Sequence, residues 1–284
     1  MKLLSSDTIR RCFAALPGHA IISADFDQIE LRVAAGLAGE QSLIDAAKRG
    51  ESLHKLAAVR LFGENYSSDQ YRYTKNVNFG WLFGGGAKTL SDQAGIPIEE
   101  ARAIIAEYTK TFPALTAYKR REQEAVLRSA LSTQEYRTYK ALQTRLWEHR
   151  PSTVEGRTAR MVLHLEMERL LYRKIGYAVT PFGRRLVVDA YKAYAVVNYK
   201  VQSASRDIMA EALLRVMDDD ELEPTVLLPI HDEILGMAAL RKAEYIAKRY
   251  GEVMTTEFMG VPITASGKVY GKSWGHGYRQ NAAP

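Results

Sequence analysis

The stretch Ile21-Ile22-Ser23-Ala24-Asp25-Phe26-Asp27-Gln28-Ile29-Glu30-Leu31-Arg32 decides how this chain is read. It follows a turn at Pro17-Gly18 and opens with a short apolar run, Ala20 to Ala24, of the kind that forms a buried strand. From about Gln28 the period changes, and Ile29, Val33 and Leu37 recur every fourth residue, as on one face of a helix. Asp25 therefore sits where a strand ends. A second stretch, Pro229-Ile230-His231-Asp232-Glu233-Ile234, repeats the device at the tip of an expected hairpin, Val226 to Ile230 and Ile234 to Met237. Most of the chain separates Asp25 from Asp232, so only the fold can bring them together. Two carboxylates that meet can hold two divalent metals roughly 3.5–4 Å apart, the arrangement used for in-line phosphoryl displacement.

The composition allows this. A chain of 284 residues suggests about two domains, and 46% hydrophobic with 25% charged residues is enough to bury a core. The single cysteine, Cys12, excludes a disulfide framework and fits a reducing compartment. Met1 to Asp7 lacks the apolar core of a signal peptide, and no apolar run approaches the ~18 residues of a membrane span. A soluble, cytoplasmic protein with no membrane partner is expected. The net charge of +6 is confined to one segment: Lys119 to Lys174 holds 13 basic against 7 acidic residues, and the rest of the chain balances. A local basic excess suits either a polyanion partner or a solvated helical face.

Further helices are expected over Ser52 to Phe62, with Gly63 as its stop, and from Ser68-Asp69 to the glycine cluster Gly84-Gly85-Gly86. Another opens at Ile96-Pro97-Ile98-Glu99-Glu100. Ala114 to Lys174 reads as helical, broken near Pro151 and Gly156. A hairpin around Pro181-Phe182-Gly183, a long helix over Val196 to Met217, a helix from Leu240 to about Phe258 and a strand near Ile263 to Val269 complete the chain. Strands at both ends and helices between them give an α+β class: one sheet-based domain interrupted by a helical insertion.

The helix through Tyr71-Arg72-Tyr73-Thr74-Lys75-Asn76-Val77-Asn78-Phe79-Gly80-Trp81-Leu82-Phe83-Gly84 carries the next signal. At ~100° per residue, Lys75, Phe79 and Phe83 form one stripe, and Arg72 falls about 60° from Lys75. Cations grip phosphates and rings stack on bases or sugars. Aromatics at this spacing more often line a core, so the stripe alone leaves both readings open.

Together these three segments resemble motifs A, B and C of family A DNA polymerases, the bacterial DNA polymerase I and phage type. Residues 23–32 are similar to D-Y-S-Q-I-E-L-R of motif A, Lys75 to Gly84 to K-x-x-x-F-G-x-x-Y-G of motif B, and His231-Asp232-Glu233 is the H-D-E of motif C. The similarity extends to Ile9-Arg10-Arg11-Cys12-Phe13, Leu53-His54-Lys55, Gly183-Arg184-Arg185 and Gly271-Lys272-Ser273-Trp274, nearly the whole chain.

The resemblance implies a right-hand polymerase palm, an antiparallel sheet with helices, carrying helical fingers. Residues 1–40 and 176–284 would be palm, and 41–175 fingers with a basic helical extension over about 119–174. It implies Mg²⁺-dependent, template-directed addition of dNTPs to a primer 3′ end. Asp25 and Asp232 would hold two Mg²⁺ ions with the backbone of Phe26, and Glu233 would support the site. Glu30 would be the steric gate against a ribose 2′-OH. Lys75 and Arg72 would hold the triphosphate, Gln28 and His54 would assist, and Phe79 would pack on the incoming sugar. Phe83, Gly84, Asn198, Gln202 and His231 would face the primer–template.

Four positions depart from the family pattern. Tyr71 stands where motif B has an arginine, and Arg72 is expected to serve from one residue later. Phe83 replaces a tyrosine, Asp27 a serine and Tyr194 an arginine. The stretch from Phe112-Pro113 to Tyr177 is also longer than in common bacterial enzymes. Only about 24 residues precede Asp25, so the family's thumb and any proofreading domain are expected to be absent here, and a separate polypeptide supplying them is an expected partner beside primer–template DNA and dNTP. The alternative expectation is a catalytically weak, nucleic-acid-binding fragment that needs that thumb.

Overall fold

The computed structural model describes residues 6–149 and 151–275; the N-terminal stretch inspected for a signal peptide lies mostly outside them, as does Arg150 of the basic segment. In chain order the elements are α1 (Ser6–Arg11), β1 (His19–Phe26), α2 (Ile29–Ala38), α3 (Gln41–Lys48), α4 (Leu53–Phe62), α5 (Ser68–Leu82), α6 (Ala87–Ala94), α7 (Ile98–Thr111), α8 (Pro113–Ala130), α9 (Thr133–Glu148) and α10 (Val154–Leu171). There follow β2 (Ile175–Val179), β3 (Arg185–Asp189), α11 (Val196–Met217), β4 (Val226–Ile230), β5 (Glu233–Ala239), α12 (Ala243–Met254), β6 (Thr256–Phe258), β7 (Val261–Ile263) and β8 (Ala265–Gly271). Short 3₁₀ turns precede α11, β4 and α12. The mixture of helices with antiparallel sheet is the expected α+β class.

The chain divides into two compact units. Unit 1 comprises Met1–Gly36, Leu43–Leu53 and Ser205–Pro284; unit 2 comprises Leu37–Ser42 and His54–Ala204. The boundary near residue 204 falls inside α11.

Unit 1 is built on an antiparallel sheet of order β4-β5-β1-β8. β1 is central, which explains its apolar run: Ala20, Ile21, Ile22 and Ala24 are fully buried because both faces are covered. On one face Ile21 joins Leu235, Tyr270 and Trp274. Against the sheet lies α12, whose backbone comes so close to β8 that a Cβ at Gly267 would strike the carbonyl of Ala247. Only glycine fits there.

Unit 2 is mostly helical. Its β2–β3 hairpin is a separate two-stranded sheet packed on α8, and Gly176 permits the approach because a Cβ there would meet the Val126 carbonyl. Residues 176–204, expected alongside the sheet of unit 1, thus fall in unit 2. The expected break near Pro151 and Gly156 is present: α9 ends at Glu148, and α10 restarts at Val154 with the Gly156 N–H donating to its cap, Thr153. A further break, not expected, lies at Leu131-Ser132, where Ser132 and Glu135 form a reciprocal capping box that starts α9. α3 and α6 are short helices that the periodicity did not reveal. The helix expected to reach Phe258 stops at Met254, where β-branched Thr255 and Thr256 lead into β6.

Candidate active site

In unit 1, the ends of β1 and of the β4–β5 hairpin bring the two acidic stretches together. Asp25 pairs with Glu233 across β1 and β5, and the Phe26 N–H donates to the Asp232 carbonyl at 3.1 Å. Two residues bend the chain here with left-handed backbone: Gln28 (φ +54°) and His231 (φ +56°). Neither is glycine, so each carries strain of the kind that collects at functional sites. The Gln28 carbonyl accepts the N–H groups of Leu31 and Arg32 and so starts α2. Its side chain donates to Ser52 Oγ at 3.3 Å.

The electrostatics centre on Asp25. Burial, then the Asp232 carboxylate, push its pKa up to about 7; Glu233 and Asp27 add to the rise and Lys268 on β8 opposes it. Glu30 is also raised, mainly by burial. His231 is raised because its Nδ1 bonds Asp232 Oδ1 at 2.9 Å. Ligand atoms of Glu30, His231 and Asp232 lie within 4.8 Å of one another, the one such metal-sized group among the described residues. The expected metal set was Asp25, Phe26 and Asp232. Asp232 is gathered with Glu30 and His231, while Asp25 faces it through charge. Phe26 is buried, and the Glu233 carboxylate accepts from Tyr270 Oη at 3.1 Å.

Three supports were invisible to the motif reading. Arg32 is buried and donates to the carbonyls of Asp27 (2.7 Å) and Pro262 (2.6 Å), fastening the strand-to-helix turn to β7. Asp27, the residue that departs from the family serine, is held by Thr264 Oγ1 (2.9 Å) and Ser266 Oγ (3.0 Å). Lys268 brings the one cation that lowers Asp25. A lysine near the middle of the final strand was its only sequence signal.

In unit 2, α5 starts on a Ser67–Gln70 capping box and carries the stripe. Phe79 lies 5.4 Å from the His54 ring and 5.9 Å from Phe83, both half-buried phenyl rings in one row. Lys75 and Arg72 are exposed. Lys75 Nζ sits 4.6 Å from the Tyr71 ring, and Arg72 pairs with Asp69 at 2.9 Å. His54 is buried, bonded to Asn78 at 2.7 Å, and pushed down to about 4 by burial and by Lys75. It is a neutral imidazole at physiological pH. Gly84 ends the helix with φ +86°, and any Cβ there would run into the Tyr194 ring. On α11, Asn198 and Gln202 stand one turn apart; Gln202 is exposed, and Asn198 Oδ1 is buried without a partner among the described residues.

A model of DNA polymerase family A matches residues 2–276. The chain belongs to DNA polymerase family A. It is 33% identical to the DNA polymerase of Mycobacterium phage D29 over 273 residues, covering 95% of this chain and 37% of that protein. It is 29% identical over 281 residues to the thermostable DNA polymerase I of Thermus aquaticus, covering 94% of this chain and 28% of that one. The chain thus spans well under half the length of these relatives. Among solved structures it resembles the POL domain of Pol1 from M. smegmatis, in complex with DNA primer-template and dNTP, with a TM-score of 0.70 and 22% identity over 98% of this chain and 44% of that one. At that identity the likeness shows a shared fold.

Proposed function

We propose that this chain carries out template-directed DNA synthesis, adding dNTPs to a primer 3′ end at the acidic centre of unit 1. Unit 1 would act as palm and unit 2 as fingers, the latter including residues 176–204. The observation that carries the reading is the Asp25 carboxylate, held beside Asp232 and Glu233 at the ends of two strands in a family A chain. Repulsion among these carboxylates is what a divalent cation relieves, so the donor set fits the metal dependence general to the family. Asp25, Asp232 and the Phe26 carbonyl are assigned to hold two Mg²⁺ ions. When bound, such ions lower the pKa of a primer 3′-hydroxyl and neutralise the departing pyrophosphate.

The remaining residues bind and orient. Glu233, fixed by Tyr270, keeps negative charge beside Asp25. Glu30 blocks a ribose 2′-hydroxyl. Lys75 and Arg72 bind phosphate oxygens, Phe79 walls the sugar, and Gln28 and His54 assist, His54 as a neutral hydrogen-bonding group. Phe83 and Gly84 meet the template strand, and Asn198, Gln202 and His231 the primer–template.

The test is primer extension with Mg²⁺, comparing dNTP with rNTP. Asp25→Asn and Asp232→Asn are expected to lose roughly a thousandfold or more in rate while still binding DNA. Primer–template binding by the unaltered chain with no extension would overturn the activity and favour a fragment that only binds nucleic acid.

A further inference from the structure

The helix α5 ends under an unusual charge. Lys119, on α8, is half-buried and donates from Nζ to the Trp81 carbonyl at 2.6 Å, with the same ammonium 4.1 Å from the Trp81 ring centre. No carboxylate accompanies it among the contacts described for it. Burial alone draws its pKa down to about 8, so holding a proton there costs free energy. An apolar side chain would fill the same space without that cost. A cation retained in such a place has a local task, and its surroundings identify it.

The last carbonyls of a helix lack intrahelical partners and carry the negative end of its dipole. In α5, Phe79 O accepts from Phe83 N–H at 2.9 Å and Gly80 O from Gly85 N–H at 2.6 Å. Trp81 O receives only a longer bond, 3.3 Å, from Gly84 N–H. Lys119 completes this weakest link. The residues tied down are Phe83, the C-cap, and Gly84, whose φ of +86° sets it against Tyr194. One turn further along α8, Glu122 bonds Lys200 of α11 at 2.9 Å, with both side chains nearly buried. α8 therefore grips the end of α5 with one residue and α11 with another.

We propose that Lys119 is a positioning residue: its ammonium clamps the C-terminal turn of α5 and so fixes Phe83 and Gly84 in the orientation that receives the template strand. The clamp is a property of unit 2 alone; its consequence for synthesis rests on the function proposed above.

Two readouts keep clamp and function apart. The first is amide hydrogen exchange in Lys119→Met, which keeps the apolar stem and removes the charge, and in Lys119→Arg, which keeps the charge. Faster exchange confined to about residues 81–86 in the Met variant, reversed in the Arg variant, is expected. Unchanged exchange there, or a general loosening of unit 2, would overturn the clamp. The second is single-nucleotide extension. Lys119→Met should lower kcat roughly tenfold with the dNTP KM within about twofold, because phosphate contacts lie two turns upstream at Lys75. A raised KM with intact kcat would overturn the template-facing role. If the unaltered chain extends no primer while exchange behaves as expected, the clamp stands and the polymerase reading falls.

Discussion

The acidic centre of unit 1 and the cationic face of unit 2 manage charge in opposite ways. At the end of β1, carboxylates are crowded and partly buried, and the protein supplies too little positive charge: Lys268 alone lowers Asp25 against burial, Asp232, Glu233 and Asp27. On α5 the charges lie in solvent and are satisfied close to home, Arg72 by Asp69 and Lys75 by the Tyr71 ring. The first region stores repulsion at the ends of hydrogen-bonded strands, which a cation would release. The second presents exposed cations whose local partners are weak enough to be given up for a stronger anion. On the function proposed above, the difference assigns the chemical step to the sheet and capture to the helix face.

The largest expected effects break this comparison most directly. Asp232→Asn should act on kcat, by roughly a thousandfold, with dNTP KM changed far less. Lys75→Ala should do the reverse, raising dNTP KM some 10- to 100-fold, the worth of one or two charge-assisted phosphate contacts. Steady-state kinetics on the two variants decide it. If Lys75→Ala reduced kcat and left KM alone, the assignment of capture to α5 would be wrong.

A smaller effect sharpens the helix side. Arg72 stands one residue from the family's arginine position and must leave Asp69 to reach a phosphate. Exposed pairs of this kind contribute roughly 0–1 kcal/mol, so leaving it is cheap. Arg72→Ala should raise dNTP KM about three- to tenfold, less than Lys75→Ala. An unchanged KM would mean that Arg72 serves only its own helix.

The basic segment offers a comparable test on DNA affinity. Arg128 lies over the Tyr136 ring, and Arg120, Arg137 and Arg145 are exposed. Replacing these four by Gln should reduce the slope of log affinity against log salt by up to about 3.6 if each neutralises a phosphate of duplex DNA. An unchanged slope would leave the segment as a solvated helical face.

Much of this was legible in sequence because it is periodic or local. The apolar run before Asp25 predicts a buried strand, and β1 extends it by only a few residues at each end. The stripe of α5 follows from helical spacing, and α11 occupies the span its pattern predicts, Val196–Met217. What escaped is what depends on partners distant in sequence. Asp27 looked like an unexplained extra charge until Thr264 and Ser266 stood beside it. Arg32 read as part of a motif without a task, and its two backbone acceptors include Pro262, some 230 residues away. Lys119 looked like one more charge in a basic segment, whereas it is half-buried against the end of another helix. Periodicity shows which face of an element is covered, but not what covers it.

The smallest effect expected is on stability, and it tests the stored repulsion without any turnover. Asp25 has a native pKa of about 7 against an ordinary value of 3.8, so the native state holds its proton more tightly than the unfolded chain does. The resulting destabilisation is full above pH 7, shrinks as pH falls through 7, and is gone below about 4. Asn carries no such penalty. In metal-free buffer, Asp25→Asn should therefore melt a few degrees above the parent at pH 8, and the gain should fade towards pH 4. The gain is limited because Asp25 is partly exposed and solvent screens its neighbours. Millimolar Mg²⁺ at pH 8 should then raise the parent's Tm more than the variant's, since the variant has lost both the repulsion and a ligand. A variant that melts lower than the parent at pH 8 without metal would show that the carboxylates of β1 and of the β4–β5 hairpin are not in mutual repulsion, and the contrast between the two charged regions would collapse.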